Sequence, residues 1–258
     1  MARRLYRQER LDSILERLAR TGYVSVAELS EMLGVSAVTT RADLDLLQRA
    51  GQLVRTHGGA IPVSTDDENL LSFSVRQRSN VQEKERIGAA AAELVGDGEA
   101  IILDASTTAW HIARCLLNRR DLTVLTTGLY VAIELLRSPG ISVLMPGGNV
   151  WREAAAMMGP MTAGILGMGN WQKGFFGGRG LTLADGLTDA NKAEVQFKRA
   201  LVSSVRRVTA VVDGTKLGKV AFAPLASIDQ ISVVVTGQQA DPEVVAQIRD
   251  RGIEVILA

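Results

Sequence analysis

The chain has one cysteine, Cys115, so no internal disulfide can form. A lone thiol fits a reducing compartment, and Cys115 falls among apolar residues of an expected helix, where it reads as core. Histidine is nearly as scarce. His57 and His111 are the only two, they fall in different halves, and no metal-ligand spacing is built around them. No apolar run is long enough to span a bilayer, and no apolar segment with a small-residue cleavage site opens the chain. Internal repeats and low-complexity tracts are missing too. These absences set aside disulfide scaffolds, metal sites and membrane spans. The expectation is a soluble cytoplasmic protein with no metal and no cofactor.

What is present is a chain of 258 residues, 47% hydrophobic, enough for one large core or two smaller ones. The formal net charge of +1 is close to neutral, so a basic region can show only in the distribution of charge. The first sixty residues read as short helices. Leu11, Ile14, Leu15 and Leu18 recur at helical spacing up to Gly22. Ser25 with Glu28 three residues on forms a capping box before Leu29, Met32 and Leu33. Ser36 caps a third helix with an apolar face through Val38, Leu44 and Leu47, stopped at Gly51. "QLVRTHGGAIPV" then reads as a hairpin turning at Gly58 and Gly59.

Residues 61–80 are polar with scattered apolar positions and read as a linker. From residue 81 to 258, β-type runs such as "AIILD", "LTVLTT", "ISVLMPGG", "KGFFGG", "VTAVVDG", "ISVVVTG" and "IEVILA" alternate with helix-length stretches. Strands buried on both faces and alternating with helices predict a mostly parallel α/β domain.

Helix, helix, tight turn, helix, hairpin is the order of a winged helix-turn-helix. Its third helix enters the major groove and presents donors and acceptors to base edges. Ser36, Thr39, Thr40 and Arg41 supply that side, and Arg55 and His57 sit on the wing. Arg3, Arg4, Arg7 and Arg10 suit phosphate neutralisation. The same pattern also fits a plain helical subdomain with a solvated arginine face.

"VSAVTTRADL" and "RTHGGA" carry the argument further. The segment from Arg7 to Ala60 resembles the DNA-binding domain of the DeoR family of bacterial transcription regulators. Val35-Ser36, Thr39, Arg41, Asp43-Leu44 and His57-Gly58-Gly59-Ala60 match the family pattern, and Ala42 stands where the family usually has a second arginine. "EKERIGAAAAELVGDGEAIILD", "MPGG", "GFFGG", "DGLT" and "DGTKLGKVAF" resemble the family's effector domain. The resemblance implies a winged helix-turn-helix over 1–60, a linker over 61–80, and an effector domain over 81–258 related in fold to ribose-5-phosphate isomerase and CoA-transferases. It also implies double-stranded operator DNA and a phosphorylated sugar or related anionic molecule as partners, a homo-oligomer (dimer or tetramer), and no membrane.

The effector residues follow from where the strands end. After a strand closing at Asp104, Ser106, Thr107 and Thr108 start a helix. Free N–H groups and the helix dipole favour an anion there, and hydroxyls add donors. The same hydroxyls serve equally as plain helix caps. The family usually has glycine at Ser106, and an Asn where this chain has Thr127 after Thr126. Gly147 and Gly148, followed by Asn149 and Arg152, end another strand, and Gly178 ends a fourth. Lys192 and Lys216 are the candidate charges for holding an anionic ligand. Such strand ends gather at one edge of an open α/β sheet, where ligands bind.

An isomerase of this fold needs a base beside the sugar carbon. "GFFGGRGLTLADG" offers Gly177, Gly178 and Arg179 where acids would be wanted, with Asp185 later in a loop. The expectation is therefore a non-enzymatic regulator, a repressor of a carbohydrate-metabolism operon. A sugar-phosphate isomerase or deaminase fused to a DNA-binding arm, and a protein-interaction module with a basic arm, are the alternatives.

Overall fold

In a computed structural model, the described residues are 6–21, 23–50, 52–55, 58–61, 73–152, 154–158 and 163–258. The chain divides into two compact units, residues 1–76 and 77–258.

The first unit holds α1 (Arg7–Thr21), β1 (Val24–Ser25), α2 (Val26–Leu33), α3 (Ala37–Arg49), β2 (Val54–Arg55) and β3 (Gly59–Ile61). Leu11, Ile14 and Leu18 of α1 meet Leu29 and Leu33 of α2 and Leu44 and Leu47 of α3 in one buried cluster. Gly34 ends α2 in a left-handed conformation that a side chain would disfavour. The wing has three strands rather than the two expected, because β3 lies between β1 and β2, antiparallel to both. Gly59 makes this possible: a β-carbon there would stand 1.9 Å from the Val24 carbonyl oxygen. The expected capping box at α2 closes on one side. Ser25 Oγ accepts the Glu28 N–H at 3.1 Å, while the Glu28 carboxylate turns to Arg17 at 2.6 Å. Met32 and Val38, expected inside, are exposed, because the buried rows of α2 and α3 run through Val26 and Thr40 instead.

A short helix α4 (Phe73–Arg78) carries the chain into the second unit. There a seven-stranded sheet is built from β4 (Ala100–Leu103), β5 (Leu122–Thr126), β6 (Ile141–Leu144), β9 (Trp171–Phe176), β12 (Val205–Val211), β14 (Ile231–Thr236) and β15 (Glu254–Leu257). Every neighbouring pair is parallel, in the order β15-β14-β12-β9-β4-β5-β6. Helices α5 (Val81–Ala92), α6 (Thr107–Cys115), α7 (Leu129–Leu135), α9 (Lys192–Ser204) and α10 (Pro242–Asp250) supply crossovers and cover the faces. Two apolar clusters pack on it. One is formed around Phe175, Ile101, Leu103 and Ile112, the other around Phe176, Ile102, Leu201 and Val234. The alternation of β4 explains this, since Ile101 and Leu103 belong to one cluster and Ile102 to the other.

The sequence reading did not separate three smaller features. A hairpin, β7 (Asn149–Trp151) with β8 (Ala156–Met158), leads to a single-turn helix α8 (Ala163–Gly167). A side sheet pairs β10 (Gly180–Thr182), β11 (Gly186–Asp189) and β13 (Ala223–Ala226) antiparallel. Cys115 is exposed at the end of α6 rather than in the core, because the buried face of that helix runs through Ala109, Ile112 and Ala113.

Candidate nucleic-acid interface and effector site

In the first unit α3 begins with Ser36 as N-cap, whose Oγ accepts the Thr39 N–H at 3.2 Å and lies 2.9 Å from Thr39 Oγ1. Ser36 and Arg41 are exposed and Thr39 is half-buried, so these three share the outer side of the start of α3. Thr40 does not join them. It is fully buried, with Oγ1 2.9 Å from Ser30 Oγ, so it fastens α3 to α2. Asp43 is buried too, and its carboxylate accepts two bonds from the Arg10 guanidinium, at 2.8 and 3.1 Å. Arg10 is therefore a clamp between α1 and α3 rather than a phosphate contact. Arg55 on β2 reaches back to Asp45 on α3 at 2.6 Å, which fixes the wing against the helix. His57, Arg3 and Arg4 lie outside the described residues.

In the second unit, the strand order reverses between β4 and β9, since successive strands leave β4 in one direction through β5 and β6 and in the other through β9 and β12. The crevice at the carboxyl ends of two such strands is where open α/β sheets bind ligands. Asp104 follows β4 there, with no exposed surface. Its Oδ1 accepts the Ser106 N–H at 2.9 Å, and its Oδ2 accepts the Gly177 N–H at 2.9 Å. One carboxylate thus stitches the two strands together at the switch point.

Lys198, on α9, closes this arrangement from the other side. Its ammonium is 3.1 Å from Asp104, 2.9 Å from Asp189 at the end of β11, and 3.1 Å from Glu194 one turn earlier. Burial alone would pull this lysine down, but Asp104, then Asp189 and Glu194, outweigh it and hold its pKa above the ordinary lysine range. Burial pushes Asp189 up, and Lys198 with Arg179 at 3.8 Å more than reverses this. Acids absent from "GFFGGRG" stand at the switch point all the same, as Asp104 from β4 and, well downstream of it, Asp189 and Glu194. The readable signal was Glu194 and Lys198, spaced i, i+4, with Lys198 on the same helix as buried Val195, Leu201 and Val202.

Beside this ion cluster α6 begins. Ser106 is its N-cap, and its Oγ accepts the Ala109 N–H at 3.1 Å. Ser106 also fits tightly: a β-carbon on Gly177 would lie 2.5 Å from Ser106 Cβ. Thr107 and Thr108 are 4% and 5% exposed. Among the described residues, neither their N–H groups nor their hydroxyls find a partner. Neither hydroxyl is a fully buried atom, so both open onto solvent at the positive end of a helix dipole, and that combination suits an anion. Lys198 offsets the Asp104 charge that would otherwise repel it.

The other expected residues divide. Thr126 is buried and its Oγ1 accepts the Gly128 N–H at 3.1 Å, a structural bond. Thr127 is also buried and its carbonyl accepts the Met157 N–H at 2.8 Å, which docks the β7–β8 hairpin over this edge. Gly147 stands in open space, and Gly148 has φ 145°, which favours glycine. Asn149 and Arg152 are exposed on the hairpin. Gly178 is needed for packing, because a β-carbon there would meet Leu187 Cδ1 at 2.5 Å. Lys216 is half-buried on a turn, Gly214–Lys216, capped by Asp213, whose carboxylate accepts the Thr215 N–H at 3.2 Å. Lys192 is exposed at the first position of α9.

Two family models cover most of this chain. Residues 10–66 match the DeoR-like helix-turn-helix domain, and residues 79–238 match the DeoR C terminal sensor domain. The chain belongs to the DeoR family. Among its relatives is the HTH-type transcriptional regulator GolR of Listeria innocua, 35% identical over 97% of this chain and 98% of that one. Another is a putative aga operon transcriptional repressor of Escherichia coli O157:H7, 30% identical over 96% of this chain and 93% of that one. The fold is loosely similar to a ribose 5-phosphate isomerase from Methanocaldococcus jannaschii, at 19% identity and a TM-score of 0.41 over 54% of this chain and 55% of that one. The DeoR family assignment gives the two units their places as DNA-binding domain and sensor domain. No helix among the described residues is long and apolar enough to cross a membrane, and no group of three or more metal-ligating side chains occurs among them.

Proposed function

We propose that this DeoR-family chain is a repressor of a carbohydrate-metabolism operon, released from its operator by a phosphorylated sugar or related anionic metabolite. The observation that carries the reading is the start of α6, where buried Thr107 and Thr108 leave two N–H groups and two hydroxyls without protein partners among the described residues. Phosphate fits such a donor set, and Lys216 and Arg152 are further cations on the same strand-end edge. On the DNA side, Ser36, Thr39 and Arg41 take the base and phosphate contacts and Arg55 holds the wing. The protein works in the cytoplasm as a homo-oligomer (dimer or tetramer), whose paired DNA-binding domains read related half-sites. As a sensor it needs no cofactor and turns nothing over.

A sugar-phosphate isomerase is the second reading, favoured by the three carboxylates near the switch point. Against it, Lys198 takes all three, and Asp104 also accepts two backbone N–H groups, so none is poised as a free base. Incubation with a panel of phosphosugars tests both. The sensor reading expects a thermal shift with no turnover, and turnover above background would replace it with the enzyme.

A further inference from the structure

Two consecutive residues near the start of α5, Glu83 and Lys84, make bonds in two different places. The Glu83 carboxylate accepts the Gly214 N–H at 2.8 Å. Gly214 opens the turn after β12 that carries Thr215 and Lys216. The same carboxylate lies against Gly237, just past β14: a β-carbon there would stand 1.9 Å from Glu83 Oε1. Glu83 therefore fills a notch between the carboxyl ends of two neighbouring strands, and glycine at 237 leaves the room for it.

Lys84 is buried, and its ammonium bonds to the Ser79 carbonyl at 2.6 Å. Its backbone N–H bonds to the Asn80 carbonyl at 3.0 Å. Ser79 and Asn80 are the joint between α4 and α5, three residues beyond the dividing line of the two units. Asn80 has φ 51° and ψ 38°, a left-handed conformation with no side-chain cap on the helix it starts. Asparagine visits that region more readily than most residues, but still at a cost that its surroundings must hold in place.

We propose that the Glu83–Lys84 pair couples the effector edge of the sheet to the interdomain joint, with Glu83 and Lys84 acting as positioning residues. This rests on the strand ends being the effector site. A ligand that engages Lys216 or Thr215 shifts the 214–216 turn, and Glu83 passes that shift to the first turn of α5. Lys84 then carries it to the Ser79 carbonyl and the left-handed Asn80. Because α5 also packs on α6 and β14, its first turn is where this displacement can be absorbed. The effect on DNA binding is limited to the ligand's differential affinity for the two settings of the joint.

Hydrogen exchange on the full chain tests the coupling without any ligand. Asp213→Ala removes the cap of the 214–216 turn. We expect faster exchange at 214–217 and also, by about threefold or more, at 79–84. In a Glu83→Ala background the same change should still speed 214–217 but add nothing at 79–84. Glu83→Gln keeps an acceptor for the Gly214 N–H and should restore the response. Gly237→Ala displaces the carboxylate without removing a charge and should uncouple as Glu83→Ala does. If Asp213→Ala does not fold, Thr215→Val loosens the same turn more gently. The proposal is overturned if 79–84 ignores the loosened turn, or responds equally with alanine at 83. A failed effector reading shows separately, as no thermal shift with any phosphosugar.

Discussion

Ser106 and Gly177 share one space: a β-carbon on Gly177 would lie 2.5 Å from Ser106 Cβ and 2.7 Å from its Oγ. A serine at the cap of α6 is thus matched by a glycine on the neighbouring strand end, across the switch point. Gly177→Ala should cost about 1–3 kcal/mol through overpacking. Adding Ser106→Gly should relieve the clash and leave only a few tenths of a kcal/mol for the weaker cap. Urea denaturation of the two variants checks this, and strictly additive costs would deny the shared space.

Lys198 is the buried centre of three carboxylates, so its removal leaves uncompensated charge inside the protein. Lys198→Met should destabilise the sensor domain by about 3–5 kcal/mol. Asp189 is held below its usual pKa, so it stabilises the fold above the ordinary aspartate range, and that stabilisation is lost as pH falls through its folded value. Acid unfolding of Lys198→Met should accordingly lose this component. An unchanged urea midpoint for Lys198→Met would show that the cluster does not hold the domain together.

His111 is buried on α6, and its Nε2 has no hydrogen-bond partner among the described residues. Burial, and then the charge of Arg114, lower its pKa to about 4. The unfolded chain, near 6.5, binds the proton more readily between these values. Stability should therefore fall as pH drops from about 6.5 toward 4, by no more than about 3 kcal/mol, and level off below. His111→Gln should flatten that part of a pH–stability profile, and an equally steep profile would assign the loss to other groups.

On the DNA side, exposed Arg41 and buried Thr40 should separate function from folding. Arg41→Ala should weaken specific DNA binding by about 1–3 kcal/mol while the melting temperature holds. Thr40→Val should do the reverse, costing about 1 kcal/mol of stability through the lost bond to Ser30 Oγ, which keeps the Val26 carbonyl as its other partner. Anisotropy titrations beside thermal melts would show the two effects, and equal losses of both properties in both variants would contradict the division.

Much of the fold was legible because it is written in period. Apolar runs gave every strand of the parallel sheet, and Ser36 and Ser106 marked their helix starts. The side sheet was not legible, because "GLTLADGLTD" is short and rich in turn residues, and its strands are held by β13, some 35 residues on. Val38 and Thr40 stand two positions apart, on nearly opposite sides of the helix, and the bond between Thr40 and Ser30 goes with the face that turns inward. At the site, single strand ends could be named, but the ion cluster could not. Asp104, Asp189 and Lys198 meet only after three elements have packed. Gly178 looked like a ligand-facing glycine, and its reason is steric, since Leu187 lies where its side chain would be.

The central claim is that the start of α6 senses an anion. It is tested most directly by thermal shift with matched pairs of sugars and sugar phosphates, on the parent and on Thr107→Val. The account predicts that a phosphosugar at about 100 times its Kd raises the melting temperature by roughly 5–10 °C, that its unphosphorylated partner does not, and that Thr107→Val removes most of the rise. A rise shared equally by sugar and sugar phosphate, or one untouched by Thr107→Val, would contradict it.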